Sequence, residues 1–177
     1  VANKFGKEQS QYLDHRKYVN SPPLDRQQVI SNVTSEWERN KNNHPIQHYK
    51  KNHPFTPPWI MAKGLYFGTT INWYKVLPQD IKKNIAQDYF RLTNLQDSDN
   101  QKELLVVILN LLREYRNNMA HGSRTFLSNV SCELSKNLLL SSISPEILNE
   151  EEFQKGIGQK DLFAAVSYTH LTLPTIL

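Results

Sequence analysis

Cysteine is almost missing from this chain: Cys132 is the only one in 177 residues. An internal disulfide and a cysteine-built zinc site are therefore excluded, and the usage suits a reducing, cytoplasmic setting. Long apolar runs are missing too. The longest, Leu104 to Leu112, is broken by Asn110 and is too short to span a bilayer, so no membrane association is expected. The N-terminus lacks the charged, apolar and small-residue succession of a signal peptide, although the chain starts at Val1 rather than Met, which leaves a preceding segment open. There is no G-x-x-x-x-G-K-[ST] phosphate loop, and Ser131 and Cys132 follow no nucleophile signature, so nucleotidase, hydrolase and redox roles find no support. Internal repeats and low-complexity tracts are absent. The basic excess is small, a net charge of +4, which permits a polyanionic partner without requiring one.

What is present reads as one all-α domain with short connections. Residues 1–20 are polar with scattered aromatics and suggest a weak helix or an arm. Ser21-Pro22-Pro23 breaks the chain, and Asp25 then supplies an N-cap for a helix over 26–40, with Val29, Ile30, Val33 and Trp37 at helical spacing. Four prolines between Asn40 and Pro58 (Pro45, Pro54, Pro57, Pro58) forbid a continuous helix there. The aromatic stretch Trp59–Tyr74 reads as a buried helix ending near Phe67-Gly68, followed by a helix over 70–76. Pro78 suits the first turn of a helix over 79–90, and Asn94–Asn100 reads as a loop. Gln101–Ala120 carries the strongest helical signal. Further helices are expected over 127–141 and from Pro145 to about 151. Gly156 and Gly158 mark a turn, and Asp161 is placed to cap a helix that truncation removes.

The tail stands apart. Val166-Ser-Tyr-Thr-His-Leu-Thr-Leu-Pro-Thr175 resembles a sequencing adapter translated in frame, so residues 166–177 are set aside from the natural protein, which is expected to stop near Ala165. The alternative for this tail is a strand-like segment, since Thr, Tyr, Leu and Val favour strands.

Turning the helix Lys102–His121 by about 100° per residue puts Leu104, Ile108, Leu111, Tyr115 and Met119 in one stripe about 80° wide, which belongs in the core. Arg113, Arg116, Asn117 and His121 fall on the opposite side, within about 140° of one another. Val106 and Leu109 lie on that polar side as well, and a second subunit is the simplest cover for them. Two guanidiniums, an amide and an imidazole are the groups that cleavage of RNA by its own 2′-hydroxyl would use: a proton-transfer group of near-neutral pKa and fixed positive charge at the phosphorane, with no metal. The plainer alternative is that Arg113 and Arg116 pair with Glu103 or Glu114, and that Asn117–Gly122 is an ordinary helix end, with His121 favoured by the dipole and Gly122 as the stop.

His44, His48 and His53 with Asp14 or His15 suggest a metal site, but Pro45 argues against a helix presenting His44 and His48 together, and no metal is expected. Trp59, Tyr66, Phe67, Trp73 and Tyr74 are able to stack on bases, but their spacing among Ile60, Met61 and Leu65 reads as core. Lys50-Lys51 and Lys82-Lys83 are able to steer a phosphate backbone, though such pairs are commonly just solvated.

Arg116-Asn-Asn-Met-Ala-His121 matches the R-x4-6-H motif of HEPN domains. Around it, Leu112 to Arg124 resembles the LR-x-x-RN-x-x-AH-x-x-R block of the bacterial Abi-like (abortive-infection) family. His48-Tyr49 with Pro57 to Thr69 is similar to that family's HY…PP-x-W…FG-T block, and Gly156 to Ala164 to its G-x-x-DLFA segment. The resemblance implies a HEPN-like helical bundle spanning 45–165, preceded by a partial N-terminal helical segment over 1–44 and truncated at both ends. It further implies a homodimer joining two motifs, and a metal-independent endoribonuclease without cofactors that acts on RNA in phage defence. Arg116 would then grip the phosphate, His121 would transfer the proton, Asn117 would assist, and Arg113 and Arg124 would add phosphate contacts. Gly122 departs from the family, where a second histidine is common. Two other functions stay open: an RNA-binding HEPN module that does not cut, and a helical interaction domain in which the motif is structural.

Overall fold

The computed structural model describes residues 1–43, 46–91, 98–122, 130–131, 136, 140 and 146–172. Among them the secondary structure is helical, with one isolated bridge pairing Ser21 and Leu24 and no strand. No helix among them is long and apolar enough to cross a membrane. The chain forms two compact units, residues 1–82 and 83–177, with the division inside one helix.

The first unit is built on α3 (Arg26–Asn40). Asp25 caps it as expected, its carboxylate accepting the Gln28 N–H at 3.0 Å. Val29, Ile30, Val33 and Trp37 are buried along one side. The segment before it is no free arm. It folds as α1 (Ala2–Phe5), α2 (Gln9–Tyr12) and a 3-10 turn (His15–Lys17), with Tyr12 and Tyr18 wholly buried. Asp14 caps the 3-10 turn, accepting the Arg16 N–H. The Tyr18 hydroxyl donates to the Tyr12 carbonyl at 2.6 Å and accepts from the Trp73 indole at 2.9 Å, while the Tyr12 hydroxyl donates to the Thr56 carbonyl at 2.6 Å. Burial pushes both phenols well above their ordinary pKa and keeps them donors through the neutral range.

Helix α4 (Ile46–Asn52) fits between the prolines, and α5 (Pro58–Ala62) begins with Pro58 in its first turn and packs on α4. The aromatic stretch breaks earlier than its composition suggests, at Lys63–Tyr66, and α6 (Phe67–Lys75) runs through Gly68. Tertiary partners set that break. The Asn40 amide donates to the Gly64 carbonyl at 2.8 Å. Glu36, only 3% exposed, accepts from the Tyr66 N–H and from the Thr69 hydroxyl, the latter at 2.5 Å. A carboxyl from α3 thus supplies the cap that α6 lacks in its own sequence. Gly64 is needed for space, since a Cβ there would lie 2.8 Å from Ile46 Cδ1 and 3.1 Å from the Trp37 ring. The expected core placement holds for Trp73 and Tyr74 but not for Trp59 and Tyr66, which are 50% and 63% exposed; Phe67 is half-buried. Pro58 and Met61 turn inward on the short α5, which leaves Trp59 on its outer side. Helix α7 (Gln79–Tyr89) follows Pro78 as expected.

The second unit centres on α8 (Ser98–Ala120), which starts inside the expected loop. Leu104, Leu105, Ile108, Leu111 and Tyr115 are buried, but Met119, expected in the same stripe, is 64% exposed. The stripe ends at Tyr115, and one turn later the helix has run past that anchor. The expected helix over 127–141 and Pro145 fall mostly outside the described residues. The next helix with described bounds, α9 (Glu150–Gln154), starts later than Pro145 because Asn149 and Glu152 form a reciprocal capping box, at 2.9 and 3.0 Å. A helix does follow Asp161: α10 (Leu162–Thr172) packs on α8, and its backbone stays helical through the adapter-like residues 166–172 rather than strand-like.

Two measurements test this frame. Replacing Glu36 with alanine leaves a part-buried N–H and hydroxyl without their acceptor and should cost about 1–2 kcal/mol in urea unfolding, with Glu36→Gln costing less. Hydrogen bonds from the Arg16 side chain and backbone hold the Asp14 carboxyl down at about 2, against an ordinary 3.8. A lowered carboxyl pKa stabilises the fold above the ordinary value and loses that contribution as pH falls towards 2. Arg16→Ala should return the Asp14 titration, followed by carboxyl-carbon NMR, most of the way to the ordinary value.

Candidate functional site

The polar end of α8 is made by its own register. Arg113, Asn117 and His121 follow one another at four-residue steps, and Arg116 flanks them. Arg113 is half-buried, whereas Arg116, Asn117 and His121 are exposed. Arg116 Nη1 donates to Asn117 Oδ1 at 3.2 Å, and His121 follows Asn117 by one helical turn. The His121 N–H still bonds the Asn117 carbonyl at 3.0 Å, which keeps His121 on the helical path beyond Ala120. Gly122, with φ +74, then turns the chain out of the helix in the left-handed conformation that glycine adopts at low cost. Arg113, Arg116, Asn117 and His121 are therefore brought to one helix end. Among the described residues, no hydrogen bond links Arg116 directly to His121. Arg124 lies outside the described residues.

The buried side of the same helix end is tied down. The Tyr115 hydroxyl donates to the Lys160 carbonyl at 2.8 Å, and the Val130 N–H reaches that same oxygen at 3.1 Å. Burial, and secondarily the Asp161 charge, raise the Tyr115 phenol above its ordinary pKa. Asp161 accepts from the Gly158 N–H through both carboxylate oxygens and caps α10 through the Ala164 N–H at 2.9 Å. Gly156 and Gly158, at φ +96 and +79, shape the loop that brings Lys160 there. The segment Gly156–Ala164 thus works as a clamp on α8, a role that its motif did not reveal.

The plainer reading of the arginines as surface ion pairs finds no partner among the described residues. Glu114 instead accepts from the Ser131 N–H at 2.7 Å. No cluster of His, Cys, Asp or Glu among the described residues is arranged to hold a metal ion. His53 is exposed and stacks on Tyr49 with ring centroids 4.1 Å apart; His44 lies outside the described residues.

A family model for Abi-like proteins matches residues 1–127, which include the whole of α8 and the polar helix end. The chain belongs to the Abi-like family. Membership points to abortive-infection phage defence. Neither the curated proteins nor the solved structures contain a match. In this Abi-like protein the match takes in residues 1–44 and stops short of the Gly156–Ala164 clamp.

If the clamp sets the direction of α8, Tyr115→Phe should lower stability by about 1 kcal/mol. It should also speed amide hydrogen exchange over the last two turns of α8 more than over its first turns.

Proposed function

We propose that this Abi-like protein is a HEPN-type, metal-independent endoribonuclease acting in abortive infection, with Arg116 and His121 as its reactive pair. The observation that carries the reading is the grouping of exposed Arg116, Asn117 and His121 with half-buried Arg113 at one end of a helix whose other side is buried.

In the proposed reaction an imidazole removes the proton from an RNA 2′-hydroxyl, whose oxygen attacks the adjacent phosphorus. A second imidazole gives its proton to the departing 5′-oxygen, leaving a 2′,3′-cyclic phosphate and a 5′-hydroxyl end. The guanidinium of Arg116 meets the charge that builds on the non-bridging oxygens, with Arg113 and Arg124 supporting the phosphate. Asn117, already bonded to Arg116, holds that guanidinium, one helical turn before the imidazole. One His121 per chain supplies one proton-transfer group, so the complete reaction uses two chains meeting at this helix end. Val106 and Leu109, half-buried in the single chain, keep apolar surface for that contact.

Incubation of the full chain with RNA and excess chelator tests the proposal. Cleavage should persist and yield cyclic-phosphate ends. His121→Ala and Arg116→Ala should each lower it by about a hundredfold or more without changing the circular dichroism spectrum. Chelator-sensitive cleavage, or variants as active as the parent, would overturn it. RNA bound but never cut would favour the non-catalytic module.

A further inference from the structure

Charge is unevenly divided in this chain. The first unit carries twelve Lys and Arg against six Asp and Glu, whereas the second carries nine against eleven. The proposed reactive pair therefore sits on the unit with the acidic balance, and the basic excess lies elsewhere. Much of it lies in the run from Arg39 to Gln79, which contains no aspartate or glutamate at all. Within that run Lys50, Lys51 and Lys63 are exposed, and among the described residues none of them forms an ion pair.

The same run presents its aromatic rings outward. Trp59 is 50% exposed and Tyr66 63%, and Phe55 is 38% exposed. All three stand on backbone that is anchored from beneath. Phe55 precedes Thr56, whose carbonyl is held by Tyr12. Trp59 lies between the buried Pro58 and Met61, and the Tyr66 N–H is held by Glu36. Lys63 follows Trp59 by one helical turn on the outer side of α5, and α5 packs on α4, which carries Lys50 and Lys51. Rings on a fixed frame, in the same run as ammonium groups without ion pairs among the described residues, are what a single-stranded polynucleotide needs: faces for its bases and cations for its phosphates. An acidic protein would match the charge but has no planar bases for the rings, and exposed rings gathered in one run favour a partner with apolar faces.

We propose that Phe55, Trp59 and Tyr66, with Lys50, Lys51 and Lys63, form a binding surface for single-stranded nucleic acid, separate from the end of α8. It would hold the strand by stacking and phosphate contact and perform no chemistry.

The test uses the full chain carrying His121→Ala, so that RNA survives, with labelled oligouridylate and oligothymidylate as probes. Trp37 and Trp73 are buried, so quenching of tryptophan emission on binding reports chiefly Trp59. Both probes should bind and quench. Trp59→Leu and Tyr66→Ala should each weaken binding by about 5- to 150-fold. The pair Lys50→Glu and Lys51→Glu should weaken it further and flatten the slope of log affinity against log salt by about 1.4, the share of two phosphate contacts on a single strand. Preference between the probes tells RNA from DNA as the natural strand. Unchanged affinity and salt slope in folded Trp59→Leu and charge-reversed variants would overturn the surface. So would equal binding of polyglutamate, or a change in oligomeric state with oligonucleotide affinity intact. Failure of RNA cleavage by the unsubstituted protein would sink the ribonuclease while leaving this binding result standing.

Discussion

The hydroxyl of Tyr115 reaching the Lys160 carbonyl, together with the aliphatic stripe Leu104, Ile108 and Leu111 behind it, fixes the rotation of α8. A helix has one rotational freedom about its axis, and burying one side settles where every other side chain points. Once Tyr115 is inside, Arg116 and Asn117 must be outside, and His121 follows Asn117 by one turn. The candidate site is thus a consequence of a core contact rather than of any interaction among its own residues. Among the described residues its one internal side-chain bond, from Arg116 to Asn117, is exposed and contributes little to stability.

The first unit follows the same logic with a different group. Helix α6 has no capping side chain of its own, and α3 supplies one across the core through Glu36. A buried carboxyl is costly unless its oxygens are used, and here both accept hydrogen bonds. The arrangement ties the break at Lys63–Tyr66 to α3, closes Gly64 against Trp37 and Ile46, and leaves Trp59 and Tyr66 facing water. Rings that composition assigns to the core become surface because the backbone beneath them is committed to other partners.

Abi-like membership and the two units also separate two kinds of positive charge. Arg113 and Arg116 are few and gathered at one helix end. The lysines between Arg39 and Gln79 are more numerous and share their run with exposed aromatic rings in the other unit. The first arrangement suits charge stabilisation at one phosphate, and the second suits contact along a strand.

Much of this was open to reading from residue order, because the signals are local. The Asp25 cap, the α3 stripe, the helix after Pro78, the long helix with its polar end, and the Gly122 stop all depend on neighbours within a turn or two, where periodicity and capping chemistry are informative. The all-α class and the Abi-like family were legible for the same reason, since their motifs are short and ordered. Tertiary structure alone settled the rest. It ended the core stripe at Tyr115 and exposed Met119, moved the aromatic break from Gly68 to Gly64, packed Tyr12 and Tyr18 inside, and turned Gly156–Ala164 into a clamp. Each of these depends on a partner 24 or more residues away, or, for Met119, on the lack of a neighbour to cover the side chain, and neither leaves a mark on local spacing.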